Sequence, residues 1–293
     1  MFDINFIILA TGGEPVNINE RTEVRSFSTD SRRIKDKEIF IALEGDNFDG
    51  HEFIEEAFDK GASFAIVEKI PNHLAGKPYI RVKSTETALS KLAKNWRNSF
   101  KNLKVAAITG SNGKTTTKEM AYSILSVNNT VLKNSGNFNN HIGLPLTLLK
   151  LNKDHEICVI ELGMSSFGEI RELTSIADPD IGAITNIGRA HLEKLGSVEG
   201  VAEAKSELVE NFDMNKTFCV NLDDPFIIKI AEKTKSKKIY YGLSSKDSLI
   251  KIYDIEQEDF QSIKFNMKIR GERTSIRMRG IGRHNVSNAL CAS

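Results

Sequence analysis

Val105-Ala106-Ala107-Ile108-Thr109-Gly110-Ser111-Asn112-Gly113-Lys114-Thr115-Thr116-Thr117 decides the fold of this 293-residue chain. An apolar run of strand length stops at Thr109-Gly110 and is followed at once by a helical pattern. Gly110 and Gly113 allow backbone N–H groups to turn towards a phosphate, and the N-terminus of the helix adds a positive dipole. Lys114 can reach β/γ-phosphate oxygens and the Thr115 hydroxyl can face Mg²⁺, while Ser111, Asn112 and Thr116 complete the loop. The full pattern asks for a further Gly at position 108, where the chain has Ile108, so the match is to the shortened form GxxGKT. Strand, loop and helix in that order favour ATP or GTP binding over a plain tight turn with an exposed lysine.

Working outward, strands near 104–109, 156–162, 181–186 and 216–221 alternate with helical patterns near 114–127, 167–177, 197–211 and 225–234. That alternation predicts a mostly parallel sheet covered by helices, a mononucleotide-binding α/β fold. Residues 249–254, 262–268 and 274–279 predict consecutive strands forming an antiparallel patch on the same sheet. Upstream, strands at 37–43, 63–68 and 79–82 with helices at 51–60 and 86–99 predict a small N-terminal α/β domain. The polar stretch Asn98 to Lys104 places the boundary near residue 101, giving domains 1–100 and 101–293. After Gly282, the segment 285–292 begins a helix that Ser293 closes after barely two turns, so the second domain is expected to be truncated near its end.

The chain is 40% hydrophobic and 27% charged, an ordinary globular composition. Its formal charge of +1 gives no field for nucleic acid as the main partner. The apolar stretch Phe6 to Ala10 is far short of the roughly 20 residues of a membrane helix, and no basic segment precedes it, so membrane insertion is not expected. Cys158, Cys219 and Cys291 lie far apart with no metal-ligand spacing, which reads as buried free thiols in a reducing cytoplasm.

Two strand ends bring further chemistry to the edge where open α/β sheets bind nucleotides. Val159-Ile160-Glu161-Leu162-Gly163 delivers a carboxylate that either holds Mg²⁺ or is a solvated strand-end charge. Ile184-Thr185-Asn186-Ile187-Gly188-Arg189-Ala190-His191 delivers an imidazole that is either a second metal ligand or a satisfied loop histidine. Lys205 falls inside a helical pattern, where a solvated face is the default reading. The loop from Asn134 to Gly143 holds four amides in seven residues, suited to a polar ligand and equally to local turns.

The strings ITGSNGKTTTKEM, GNFNNHIGLPLTLL, VIELGM followed by GEI, NIGRAHLEKLGSVEGVAEAKSEL and GRHNVSNAL together resemble the Mur ligase family. The stretch STDSRRIKDKEIFIALEGDNFDGHEFIEEAFDKGASFAIVE is similar to the domain in which that family holds a uridine nucleotide. The resemblance implies ATP-driven amide formation through an acyl phosphate in peptidoglycan precursor synthesis. The Asn-rich loop points to the branch joining D-alanyl-D-alanine to UDP-N-acetylmuramoyl-tripeptide, ahead of the diaminopimelate- or lysine-adding branch and of folylpolyglutamate synthase. It further implies ATP contacts for Gly110 to Thr116 and Asn288, and magnesium sites at Thr115, Glu161 and His191. Lys205 matches the lysine that the family carbamoylates into an anionic group beside the metal. Asn137, Asn139, Asn140 and Ser165 match positions near the reacting substrate, and Ser31, Asn47 and His51 lie near the uridine nucleotide. Family members carry a third, C-terminal domain; its absence leads us to expect an inactive isolated chain, a monomer or one complemented by a C-terminal fragment.

Overall fold

The parallel strand Lys104–Thr109 is flanked by Ile157–Glu161 on one side and Ile181–Ile184 on the other. In this computed structural model, which describes residues 2–45, 48–70, 74, 76–243, 250–257, 261–269, 271–280 and 282–293, the three strands are the heart of a nine-stranded sheet. Val105, Ala107, Ile108, Cys158, Val159 and Ile160 are buried, so both faces of these strands are covered and they read as apolar runs rather than alternating ones. Glu161 pairs in register with Ile108, and Ile184 with Thr109. The register therefore sets Gly110, Glu161 and Thr185 side by side at the carboxyl edge.

The parallel order continues through Thr217–Asn221 and Lys237–Tyr241 to Ile250–Gln257, and Val131–Lys133 closes the opposite edge beside Ile157–Glu161. Ile250–Gln257, Ser262–Ile269 and Glu272–Arg279 then run antiparallel on the same sheet, as the sequence predicts. Helices Lys114–Leu125, Glu169–Ala177, Val198–Ser206, Pro225–Lys233 and Arg283–Ala292 belong to this unit.

The chain divides into two compact units, one made of Met1–Lys101 with His141–Asn152, the other of Asn102–Asn140 with Lys153–Ser293. The first unit is thus discontinuous, where the sequence suggested one cut near residue 101. It holds a five-stranded sheet ordered 14–16, 79–81, 64–67, 38–41, 26–28, parallel apart from its first pair. Helix Gly143–Leu148 packs on helix Thr85–Ser99, and the Trp96 indole Nε1 donates to the Leu151 carbonyl at 3.0 Å. Among the described residues no helix is long and apolar enough to cross a membrane. None of the three cysteines is in a disulfide; Cys158 is buried and Cys219 and Cys291 partly so.

Candidate active site

Gly110 and Gly113 adopt φ of 151° and 80°, in the region that favours glycine. Space demands glycine as well: a Cβ on Gly110 would lie 1.9 Å from the Thr185 hydroxyl, and one on Gly113 2.4 Å from Asn288 Oδ1. Asn288, buried on helix Arg283–Ala292, therefore lies directly against the phosphate loop. The loop is braced from below. Ser111 N–H donates to the Asn186 carbonyl, Gly188 N–H donates to the Ser111 hydroxyl, and Asn112 N–H and carbonyl both pair with the Asn186 amide. Beyond the brace, helix Lys114–Leu125 begins at Gly113, and its first-turn N–H groups point out of the helix end with no intrahelical acceptor. Lys114 Nζ arches back and donates to the Gly110 carbonyl at 3.0 Å, which holds the ammonium over the loop.

Glu161 is buried rather than solvated. The Thr115 hydroxyl donates to Oε2 at 2.7 Å and the Asn139 amide donates to Oε1 at 2.8 Å, so both oxygens are aimed from two sides. Asn139 is fixed in turn, because its carbonyl accepts the Gly163 N–H at 2.8 Å. Asn137 and Asn140 of the same loop are exposed. Asn134 has nothing in its local sequence to single it out from the other amides of the loop, yet its side chain accepts the Glu161 N–H and donates to the Glu161 carbonyl. Its position at the end of strand Val131–Lys133, next to Ile157–Glu161, is the signal that could have found it.

Lys205 corrects the solvated-face expectation: it is 2% exposed, on the inward side of helix Val198–Ser206 with Val201 and Ala204. Burial, and then the nearby Lys114 charge, bring its amine down from 10.5 to about 7. His191 is exposed and holds a left-handed backbone, φ 53°, before helix Leu192–Leu195. Among the described residues no hydrogen bond joins its ring to Glu161, Thr115 or Lys205. The half-buried Ser165 gives its hydroxyl and N–H to Glu169, and accepts a long contact from Lys194 Nζ at 3.5 Å.

Among the described residues no three His, Cys, Asp or Glu side chains converge into a metal cluster. The Thr115 hydroxyl and Glu161 carboxylate nevertheless make an oxygen pair at the phosphate loop, the donor type Mg²⁺ prefers.

In the first unit, the His51 imidazole is buried and both of its ring nitrogens have protein partners. Its Nε2 accepts from the N–H groups of Glu68 at 2.9 Å and Lys69 at 3.3 Å, which leaves the proton on Nδ1, 2.6 Å from Asp49. Both ring nitrogens are spent on holding the turn. The Ser31 hydroxyl, also buried, donates to Glu56 at 2.7 Å. Asn47 lies outside the described residues.

Residues 108–293 match the model described as the Mur ligase middle domain. The chain belongs to the Mur ligase family. Residues 23–97 match a second Mur ligase model, described as the family's catalytic domain. UDP-N-acetylmuramoyl-tripeptide–D-alanyl-D-alanine ligase of Bacillus subtilis is 38% identical over 274 residues, covering 93% of this chain and 58% of its own length. Among solved structures, MurF from Acinetobacter baumannii aligns with a TM-score of 0.92 at 34% identity, over 99% of this chain and 63% of that one. MurF ligase from Thermotoga maritima in complex with ADP aligns with a TM-score of 0.80 at 30% identity, over 93% of this chain and 63% of that one. The chain thus spans about three fifths of the length of the Mur ligases it matches.

Proposed function

We propose that this chain carries the nucleotide-binding machinery of an ATP-dependent ligase that adds D-alanyl-D-alanine to UDP-N-acetylmuramoyl-tripeptide. The observation that carries the reading is Glu161, buried behind a phosphate loop and held between the Thr115 hydroxyl and the Asn139 amide. The ADP complex of the Thermotoga maritima relative supports the nucleotide assignment.

In this reading the substrate's terminal carboxylate attacks the γ-phosphorus of ATP, the bond from that phosphorus to the β-phosphate oxygen breaks, and ADP leaves. The amine of D-alanyl-D-alanine then attacks the acyl phosphate and releases inorganic phosphate. Loop N–H groups at the start of helix Lys114–Leu125 orient the phosphates, and Lys114 neutralises charge on the transferring oxygens. Mg²⁺ would be held by Thr115 and Glu161, with His191 and a carbamoylated Lys205 as further ligands, and supplies charge neutralisation on phosphate oxygens. Lys205 suits carbamoylation for a reason visible in its surroundings. A neutral amine attacks CO₂ and loses a proton to give an anionic carbamate, so repulsion from Lys114 becomes attraction. Asn137, Asn140 and Ser165 are assigned to the reacting ends of the substrates, and Asn288 to the adenine side.

The uridine nucleotide is assigned to the first unit, around Ser31 and the turn that His51 holds in shape. We assign the reaction to the cytoplasm and the chain to a monomer.

Calorimetric titration with a non-hydrolysable ATP analogue and Mg²⁺ tests the core of the proposal. Lys114→Ala is expected to weaken binding at least tenfold, through loss of the charge aimed at the phosphates. Equal affinity in the variant and the unaltered chain would overturn the phosphate-loop assignment.

A further inference from the structure

Two fully buried polar side chains stand behind Glu161 without touching the phosphate loop themselves: Lys118 and Asn134. Strand Val131–Lys133 pairs in parallel with Ile157–Glu161 only as far as Lys133 opposite Val159. At Asn134 the main chain leaves the sheet, and the Asn134 amide takes over its role. Asn134 Oδ1 accepts the Glu161 N–H at 2.9 Å and Nδ2 donates to the Glu161 carbonyl at 3.0 Å. The same Nδ2 donates to the Phe138 carbonyl at 2.9 Å, closing the loop that returns Asn139 to the carboxylate. Asn134 thus fixes Glu161 through its main chain and supplies the loop that grips its side chain.

Asn134 is anchored in turn by Lys118, whose Nζ donates to the Asn134 carbonyl at 2.8 Å and lies 3.2 Å from Glu119. Burying an ammonium is costly, and an apolar side chain of similar length would serve packing better. Besides pairing with Glu119, the charge is spent on the main chain of the residue whose amide holds the Glu161 backbone. Lys114, Thr115 and Lys118 occupy one helix, the last a single turn beyond the first. That helix meets Gly110 through Lys114, the Glu161 carboxylate through Thr115, and the Asn loop through Lys118.

We infer that Lys118 and Asn134 are positioning residues, a buried relay that indexes the Glu161 carboxylate and the Asn139 loop to the helix bearing the phosphate loop. The inference rests on the ligase reading for its purpose, but its geometry can be tested without any ligand.

In the nucleotide-free 293-residue chain, amide hydrogen exchange is measured for Glu161 and Gly163, whose N–H groups bond to Asn134 and Asn139. Lys118→Met is expected to speed both at least tenfold, while the amides of Val105 and Ala107 keep their rates; Lys118→Arg restores protection. In parallel, ADP binding without metal and Mn²⁺ binding in the presence of ADP, read by electron paramagnetic resonance, separate the two parts of the site. Lys118→Met should lower Mn²⁺ affinity at least tenfold and metal-free ADP affinity less than twofold. Lys118→Gln, neutral but still able to donate, shows the same split at smaller size and serves if the Met variant does not fold. Wild-type exchange rates in Lys118→Met and Lys118→Gln, or equal losses of ADP and Mn²⁺ affinity, would overturn the relay. Failure of the unaltered chain to bind ADP would instead overturn the ligase reading, and the exchange rates alone would then decide the relay.

Discussion

Lys205 couples the chemistry of one residue to the stability of the whole unit. Its amine is at about 7 in the folded chain against an ordinary 10.5, so between those values the unfolded chain binds the extra proton. Stability therefore rises with pH from about 7 to about 10.5, and the penalty of burying the charge is complete below 7. Fully developed, that penalty is on the order of 5 kcal/mol. In CO₂-free buffer, Lys205→Met is expected to be more stable than the unaltered chain at pH 6.5 and to lose most of that advantage by pH 9.5, as measured by urea denaturation. A gap that does not change with pH would show that the amine is not desolvated. Adding ¹³C-bicarbonate should then give the unaltered chain a carbamate resonance that Lys205→Met lacks. None of this was legible from the heptad surrounding Lys205, because a lysine among Glu203, Ser206 and Glu207 has the pattern of a wet helix face. What buries it is its placement beside Val201 and Ala204 on the inward side, a consequence of tertiary packing. The phosphate loop was legible for the opposite reason: its glycines answer to local backbone geometry and close approach, which sequence spacing records directly.

At the level of elements, the phosphate loop depends on a helix cap some distance along the chain. Asp224 is the N-cap of helix Pro225–Lys233, its Oδ1 accepting the N–H groups of Phe226 and Ile227 at 3.0 and 3.3 Å. Its Oδ2 accepts the Ile187 N–H at 2.7 Å, next to the Gly188 N–H that braces Ser111. Asp224→Ala should cost the cap, about 1 kcal/mol, and a charge-assisted bond to Ile187, about 2 kcal/mol more. Denaturant midpoints would read that loss, and nucleotide affinity should fall with it because the brace loosens. Asp224→Asn keeps one oxygen acceptor but turns its NH₂ against the other N–H donor, so it should still lose one of the two contributions; a total effect of Asp224→Ala below about 0.5 kcal/mol would show the brace to be idle. The helix itself was legible from its apolar period. Helix Gly143–Leu148 was not, because Gly143 and Pro145 are helix-breaking residues elsewhere and are tolerated here in its first turn. Helix Ile4–Thr11 reads in the sequence only as a short apolar run: Ile7 is buried and Leu9 exposed, so hydrophobicity marks no single face.

For the molecule as a whole, the discontinuity of the first unit decides how the chain can be divided. A cut at residue 101 follows the composition but removes His141–Asn152, which belongs to the first unit. Leu144, Leu148, Leu149 and Leu151 are all buried, and helix Gly143–Leu148 packs on helix Thr85–Ser99. At about 2 kcal/mol for each buried leucine, losing them removes about 8 kcal/mol, comparable to the entire 5–15 kcal/mol stability of a typical domain. Residues 1–101 alone are therefore expected to unfold without a cooperative transition at 25 °C. The chain's one tryptophan makes this measurable. Trp96 lies against Phe2, Phe6 and Phe100, with ring centroids 4.3, 5.5 and 5.2 Å away, and donates its indole N–H to Leu151. Its emission in the isolated fragment should shift to the red, and tethering residues 141–152 to the fragment through a flexible linker should return both the blue emission and a cooperative melt. The restored fragment, not the simple 1–101 piece, is then the form in which uridine-nucleotide binding near Ser31 should be sought. A fragment 1–101 that melts cooperatively with its emission unshifted would show that the discontinuous segment contributes little, and that the boundary read from composition is the physical one.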